Sequence, residues 1–209
     1  MDDTLALPPG VKLIGLLGGI ASGKSFVARA LEELGGGRLD ADGAGHEVLR
    51  DPEVMAAART RWGDDVFTPS GDLDRSALAQ RVFGQSAASQ ADLAYLEQLT
   101  HPRIADRLRD QAEQLVFEGK TVLILDAPVL LKAKWDRLCT HLLYVDSSLQ
   151  RRRERADARG WQPGELEVRE ALQEPLGQKR ELADLHVDNS GSAAETKTQL
   201  ARIWSELGD

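Results

Sequence analysis

An α/β architecture, a parallel sheet covered by helices on both faces, follows from three features of this 209-residue chain. Apolar runs at residues 13–17, 121–126 and 141–146 read as strands buried on both faces. Helical patterns separate these runs, which imposes crossover connections and parallel pairing. A glycine-rich stretch, Gly18-Gly19-Ile20-Ala21-Ser22-Gly23-Lys24-Ser25, sits where the first run gives way to the first helical pattern. In such sheets ligands bind at the carboxyl ends of the strands.

Leu13-Ile14-Gly15-Leu16-Leu17 is the first strand. In the helix that follows, Val27, Ala30, Leu31 and Leu34 recur at i, i+3, i+4 and i+7, and Gly35-Gly36-Gly37 stops it. Arg38-Leu39-Asp40 reads as a short second strand. From Asp42 to Gln114 the pattern is helical and punctuated. Pro52 opens a helix through Trp62, Asp74 caps one through Phe83, and residues 89–99 make a third. A fourth starts at Pro102 and reaches Val116, with Ile104, Leu108, Ala112 and Leu115 on one face. The third strand, 121–126, is β-branched and apolar with Asp126 at its end, and 141–146 repeats the form. A helix starting near Ser147 runs into an arginine cluster, and Pro163 opens another through Leu182. Leu185-His186-Val187 reads as an edge strand. The closing helix has a capping box, Ser192-Ala193-Ala194-Glu195, and an apolar stripe at Leu200, Ile203, Trp204 and Leu207. No internal repeat and no linker marks a domain boundary.

The composition, 42% hydrophobic and 29% charged, excludes a disordered or low-complexity chain. A net charge of −8 argues against a bulk polyanion binder, so neither nucleic acid nor an anionic membrane is an expected partner. The single cysteine, Cys139, can form no intramolecular disulfide and no cysteine-based zinc site, and reads as a buried structural thiol in a reducing compartment. Residues 1–10 are acidic and broken by Pro8 and Pro9, with no basic and then apolar leader pattern. The most apolar stretch, 122–131, is interrupted by Asp126 and Pro128 and falls short of the roughly 20 residues of a membrane span. A cytoplasmic protein is expected; its oligomeric state is not legible.

The glycine-rich stretch matches G-x-x-x-x-G-K-[ST] in full, after a buried strand and opening a helix. Glycines let the backbone wrap a phosphate chain while successive N–H groups and the positive helix end face the anion. Lys24 would reach the β and γ phosphates, and the Ser25 hydroxyl would bind magnesium. Two acidic sites compete for base and metal work. Asp40-Ala41-Asp42 follows the second strand, and Asp126 ends the third in the manner of a magnesium-holding carboxylate. A single Asp after a strand reads equally as a turn acid or helix cap, and the pairing of Asp40 with Asp42 favours the functional reading there. Arg151, Arg152, Arg153, Arg155 and Arg159 give five arginines in nine positions. Most arginines in such a run solvate a helix face, but phosphoryl transfer needs guanidinium groups from a mobile lid, and Gly160, Trp161 and Pro163 read as its hinge and restart. His101 before Pro102 reads as an N-cap or packing residue. Asn189, after the last strand, either meets the adenine or belongs to a turn. A compact P-loop chain of this kind, without a GTPase base-reading motif, is similar to the nucleoside and metabolite kinases.

With these residues assembled, the chain resembles the dephospho-coenzyme A kinase family. The match rests in order on Gly18 through Ser25, Asp40-Ala41-Asp42, His101-Pro102, residues 150–153, and Gln173 through Lys179-Arg180 to Ala183-Asp184 and Asn189-Ser190-Gly191. The resemblance implies a three-layer P-loop kinase fold forming a single domain. Its core would be residues 11–50, 117–149 and 183–209, with a helical substrate-binding insertion at 51–116 holding the coenzyme A portion and a helical lid at 150–182. It implies magnesium-dependent transfer of the γ-phosphoryl of ATP to the ribose 3′-hydroxyl of dephospho-coenzyme A. Asp42 would be the base on that hydroxyl, Arg153 would meet the transferring phosphate, and Asp40 and His101 would join Asp42 at the acceptor. Gly19, Ile20, Ala21, Ser22, Gly23, Lys24, Ser25, Arg159 and Asn189 would hold ATP, with Ser25 and Asp126 at the metal. The family usually carries threonines where this chain has Leu17 and Phe26, and an arginine where it has Asp157. The alternatives are a P-loop kinase for another small acceptor, a nucleoside monophosphate or a polyol, and a nucleotide-binding regulator without transfer chemistry.

Overall fold

The computed structural model describes residues 7–84 and 86–208, so residues 1–6 of the stretch read for a leader lie outside the described residues. They divide into two compact units, one made of the residues up to Leu39 together with those from Gln111 onward, the other of Asp40–Asp110.

The first unit is built on a five-stranded parallel sheet. Its strands are β1 (Lys12–Gly18), β2 (Gly37–Leu39), β3 (Val122–Leu125), β4 (His141–Asp146) and β5 (Leu185–Asp188), in the order β2-β3-β1-β4-β5. Lys12 pairs with Val122 on one side of β1 and Ile14 with His141 on the other. The central position of β1 explains its unbroken apolar run, since both faces are covered. On one face α1 (Lys24–Glu33) and α9 (Ala193–Gly208) bring Val27, Leu31, Leu200 and Ile203 onto Ile14, Leu16, Ile124, Leu143 and Val145. Each such side chain contributes roughly 1.5–3 kcal/mol by leaving water. On the other face Leu115 and Leu123 close over Gly37, and Leu130, Cys139 and Leu142 over Gly15. The Cys139 thiol donates to the Trp135 carbonyl, and burial pushes its pKa up to about 12, so it is an unreactive thiol at neutral pH.

Helix α1 ends where the glycine triplet predicts. The N–H groups of Gly35 and Gly36 donate to the carbonyls of Glu32 and Leu31, with Gly35 in the left-handed region at φ 113°. This crossed pair satisfies the last carbonyls of the helix. The capping box of α9 forms too, with Glu195 accepting from the Ser192 N–H and Ser192 Oγ from the Glu195 N–H.

The second unit holds α2 (Ala41–Val48), α3 (Pro52–Trp62), a 3-10 turn at Gly63–Val66, α4 (Arg75–Val82) and most of α5 (Ala87–Phe117). Its own core is Ala58, Trp62, Val66, Leu78 and Val82, with Tyr95 edge-on to Trp62 at 5.6 Å between ring centroids. Asp92, buried, accepts hydrogen bonds from Arg61 (2.9 Å) and Arg81 (3.1 Å) and ties α5 to α3 and α4.

Three readings of the sequence are corrected. The predicted helices at 89–99 and from Pro102 are one 31-residue helix, α5, with Pro102 inside it. Around the missing N–H, Thr100 Oγ1 and Arg103 Nη1 donate to the carbonyls of Leu96 and Leu99 at 2.8 Å, and the apolar stripe of Ile104, Leu108 and Ala112 stays buried. His101 is therefore a half-buried residue of a helix interior, not an N-cap. The helix expected from Pro163 to Leu182 is two, α7 (Glu165–Glu170) and α8 (Leu176–Glu181), divided at Pro175, which disfavours helical backbone at Glu174. Asp40 stands after β2 as the N-cap of α2 rather than as a strand residue.

Candidate active site

Residues 18–25 run from the end of the central strand into α1, at the point where the strand order reverses. Gly23 is the N-cap, at φ 99°, and a Cβ there would stand 2.1 Å from Asn189 Nδ2. Ala21 is also left-handed, at φ 60°. The N-terminus of α1 has no side-chain cap and no acid in its first turn, whereas α2, α4 and α6 (Leu149–Asp157) are capped by Asp40, Asp74 and Ser148. Its first N–H groups and the positive end of its dipole are thus left for an anion.

The loop is held from behind. Asn189 is buried; its Nδ2 donates to the Ser22 carbonyl at 2.7 Å and its Oδ1 accepts from Thr196. Arg155 Nη1 donates to the carbonyls of Ala21 (3.2 Å) and Ser22 (2.8 Å), and Nη2 to that of Asn189 (2.8 Å). Both side chains consume backbone acceptors, and of the loop's N–H groups only that of Ser22 is spent internally among the described residues, on the Gly19 carbonyl at 3.2 Å, which leaves the others for a ligand. Lys24 Nζ lies 3.4 Å and 3.3 Å from the carbonyls of Gly18 and Gly19. Burial pulls its pKa below the ordinary lysine value, with Asp126 opposing that effect and Lys179 and Arg159 adding to it.

Ser25 Oγ donates to Asp126 Oδ2 at 3.2 Å. A hydroxyl and a carboxylate so placed suit magnesium, which binds through one or two carboxylates and completes its octahedron with phosphate and water. Among the described residues no group of three or more His, Cys, Asp or Glu side chains could hold a metal by itself. A small cleft beside Lys24 is lined by Leu17, Gly18, Pro128, Gln173, Glu174 and Lys179. Lys179 is buried on α8, bonded to Gln173 at 2.8 Å, and burial lowers its pKa against the pull of Glu174 and Glu170. Leu17 and Phe26 both serve packing: Leu17 is buried in β1, and Phe26 lies against the core of the first unit.

The arginine cluster divides by face. Arg152 is buried and ion-paired with Glu170 of α7, and both stand over Gly19. Arg153 points outward, 57% exposed, with two hydrogen bonds to Glu167 at 2.8 Å and 2.7 Å. Arg159 is exposed, its guanidinium 5.9 Å from the centroid of Trp161, which Arg169 covers at 4.2 Å. Arg152, Arg155, Glu170 and Lys179 were not singled out for a role from the sequence. Ala156 is the signal for the first two, because a lone small apolar residue in so polar a helix marks its buried face, and Arg152 lies one turn before it.

In the second unit Asp40 Oδ1 accepts from the Gly43 N–H at 2.8 Å. Asp42 is exposed in the first turn of α2, and its carboxylate has no hydrogen bond or ion pair among the described residues. His101 lies in the same unit, on α5.

A phosphate-binding loop on the central strand of this parallel sheet, followed by arginine-bearing helices, defines a P-loop kinase. The family model described as dephospho-CoA kinase matches residues 12–195. Curated dephospho-CoA kinases from Symbiobacterium thermophilum and Thermobifida fusca are each 36% identical, over 93% of this chain and 80% and 95% of theirs. Among solved structures, TT1252 from Thermus thermophilus superposes with a TM-score of 0.76 at 30% identity, covering 94% of this chain and 98% of that one. A dephospho-CoA kinase from Campylobacter jejuni shares the fold, with a TM-score of 0.62 at 19% identity, covering 95% and 98%. The chain belongs to the dephospho-CoA kinase family, whose reaction is the last step of coenzyme A synthesis.

Proposed function

We propose that this chain transfers the γ-phosphoryl of ATP to the ribose 3′-hydroxyl of dephospho-coenzyme A, with residues 18–25 as the phosphate cradle and Asp42 as the base. The observation that carries the reading is the uncapped, acid-free N-terminus of α1 beneath a loop whose carbonyls are tied back by Arg155 and Asn189. Lys24 binds the β and γ phosphates through its ammonium. Asp42 accepts the proton of the 3′-hydroxyl, whose oxygen bonds to the γ-phosphorus as the bond to the leaving oxygen of ADP breaks. Little covalent work is asked of the protein; positioning and charge dominate. Ser25 and Asp126 would hold magnesium, which neutralises charge on the β and γ oxygens when bound.

Residues 150–182 act as the lid in this reading. Arg153 meets the transferring phosphate, exchanging the Glu167 carboxylate for phosphoryl oxygens, and Arg159 supports the same charge. Arg152 and Lys179 hold the lid helices over the loop. Residues 51–116 take the coenzyme A portion of the acceptor, with Asp40 and His101 beside Asp42. No helix of the described residues is long and apolar enough to cross a membrane, and both substrates are small water-soluble molecules, in keeping with work in the cytoplasm. Replacing Asp42 by Asn is expected to lower kcat by about 100-fold or more while the fold persists. Near-normal kcat in folded Asp42→Asn protein would assign the base elsewhere.

A further inference from the structure

The second unit contains a cleft of about 230 Å³ lined by His46, Leu49, Arg50, Met55, Asp72, Leu73 and Arg75. Two of its walls come from different segments: His46, Leu49 and Arg50 from the end of α2 and the turn after it, Asp72, Leu73 and Arg75 from the loop entering α4. That loop is pinned by the pairing of Phe67 with Leu73 and by hydrogen bonds from Thr68 and Ser70 to Asp72. Arg50 and Arg75 are exposed, and neither side chain makes a hydrogen bond or ion pair among the described residues. Elsewhere in this unit Arg59, Arg61, Arg81, Arg103, Arg107 and Arg109 are each paired with a carboxylate. Two unpaired guanidiniums and an imidazole therefore converge on one cleft, against a single carboxylate, Asp72, that already accepts from Ser70. Leu49, Met55 and Leu73 supply an apolar wall beside them.

The same helix carries Asp42. Residues 42, 46 and 50 follow one another at i, i+4 and i+8, and the αR conformation of Leu49 continues the turn past the end of α2. They lie on one face, with His46 about 6 Å and Arg50 about 12 Å along the axis from Asp42. An acceptor whose hydroxyl meets Asp42 thus has basic groups waiting one to two turns further on. We propose that this cleft is the subsite for the 5′-diphosphate of the acceptor, with Arg50 and Arg75 on its oxygens and Leu49, Met55 and Leu73 against the first part of the pantetheine arm. In a 5′-diphosphoryl nucleoside the diphosphate leaves the same ribose that bears the 3′-hydroxyl, a reach on the scale of a helical turn. Paired charge-assisted hydrogen bonds from arginine suit such an anion. The inference rests on dephospho-coenzyme A being the acceptor.

The test is steady-state kinetics of the full chain with ATP, magnesium and dephospho-coenzyme A. Arg50→Ala and Arg75→Ala are each expected to raise KM for dephospho-coenzyme A by about 10-fold or more, with kcat and KM for ATP within about threefold of wild type. Arg50→Lys should recover part of the loss by keeping the charge. Arg202→Ala, exposed on α9 in the first unit, should leave all three constants unchanged. Both arginines are exposed, and thermal unfolding of each variant checks that the fold is intact; should one variant misfold, the other, from a separate segment, decides. An unchanged KM in a folded variant, or a fall in kcat with no rise in KM, overturns the subsite and leaves the proposed function standing. No transfer to dephospho-coenzyme A by the wild-type protein overturns both.

Discussion

In the proposed reaction Lys24 is the side chain on which phosphate binding turns, since burial already works against its charge while Asp126 and Glu170 favour it. In that reading an incoming triphosphate would add further counter-charge, so binding and lysine protonation would support each other. Lys24→Ala should lower kcat by about 100-fold or more, as loss of a donor to developing charge does elsewhere, and single-turnover assays would read it. Asn189 acts differently: its Nδ2 holds the Ser22 carbonyl from within the protein. Asn189→Ala is expected to destabilise the protein by about 1–3 kcal/mol in urea titrations, because the Ser22 carbonyl and the Thr196 hydroxyl each lose a buried partner. At this scale the sequence displayed residue types and spacing, but not facing. Glycine, lysine and a hydroxyl residue at fixed offsets announce the phosphate loop because the chemistry tolerates few others. Five arginines in nine positions announce a cationic helix, yet which of them is buried depends on the helix's rotation about its axis, set by Ala156 and by α7 packing against it. For Asn189 the sequence left open an adenine contact or a turn; in the structure its amide bonds the Ser22 carbonyl.

Among the elements, α5 departs most from its sequence. A proline inside a helix removes one hydrogen bond and crowds the preceding turn. Here the side chains of Thr100 and Arg103 reach the nearby carbonyls, and Asp92 and Tyr95 anchor the N-terminal half by contacts far away in sequence. Tertiary anchoring of this sort outweighs local propensity and leaves no local signature, which is why 89–99 and the segment from Pro102 look like two helices. Pro102→Ala is expected to stabilise the protein by about 1–3 kcal/mol in urea, through restored backbone bonding and better propensity. Asp92 gives the second unit a pH dependence. Burial alone would raise its pKa, but the Trp62 indole, Arg81 and Arg61 together hold it below the ordinary value of 3.8. A carboxyl with a depressed folded-state pKa contributes its full stabilisation above the unfolded value and loses it as pH falls through the folded one. The urea midpoint should therefore drop on acidification below about pH 4, and the Asp92→Asn variant should lose the part of that drop that Asp92 supplies. The strands behaved more simply. Central β1, β3 and β4 are covered on both faces and read as apolar runs, while edge strand β5 carries His186 and Asp188 exposed.

On the scale of the whole molecule, the chain forms two units with separate cores, and nothing in the composition near Asp40 announces the division. The chain leaves β2 and enters α2 with Asp40 as the only intervening residue, so no glycine- or proline-rich linker exists to be read. Ligand linkage tests the first unit as a whole. ATP with magnesium at about 100 times its dissociation constant should add about 2.7 kcal/mol to the stability seen in urea, and Lys24→Ala should abolish most of that gain. The measurement that bears most directly on the central claim is the product itself: wild-type protein incubated with ATP, magnesium and dephospho-coenzyme A, with the acceptor analysed by mass spectrometry and phosphorus NMR. One added phosphoryl group on the ribose 3′-hydroxyl, with stoichiometric ADP, is the predicted result. An unmodified acceptor in the presence of folded, ATP-binding protein, or a phosphoryl group at another position, would contradict it.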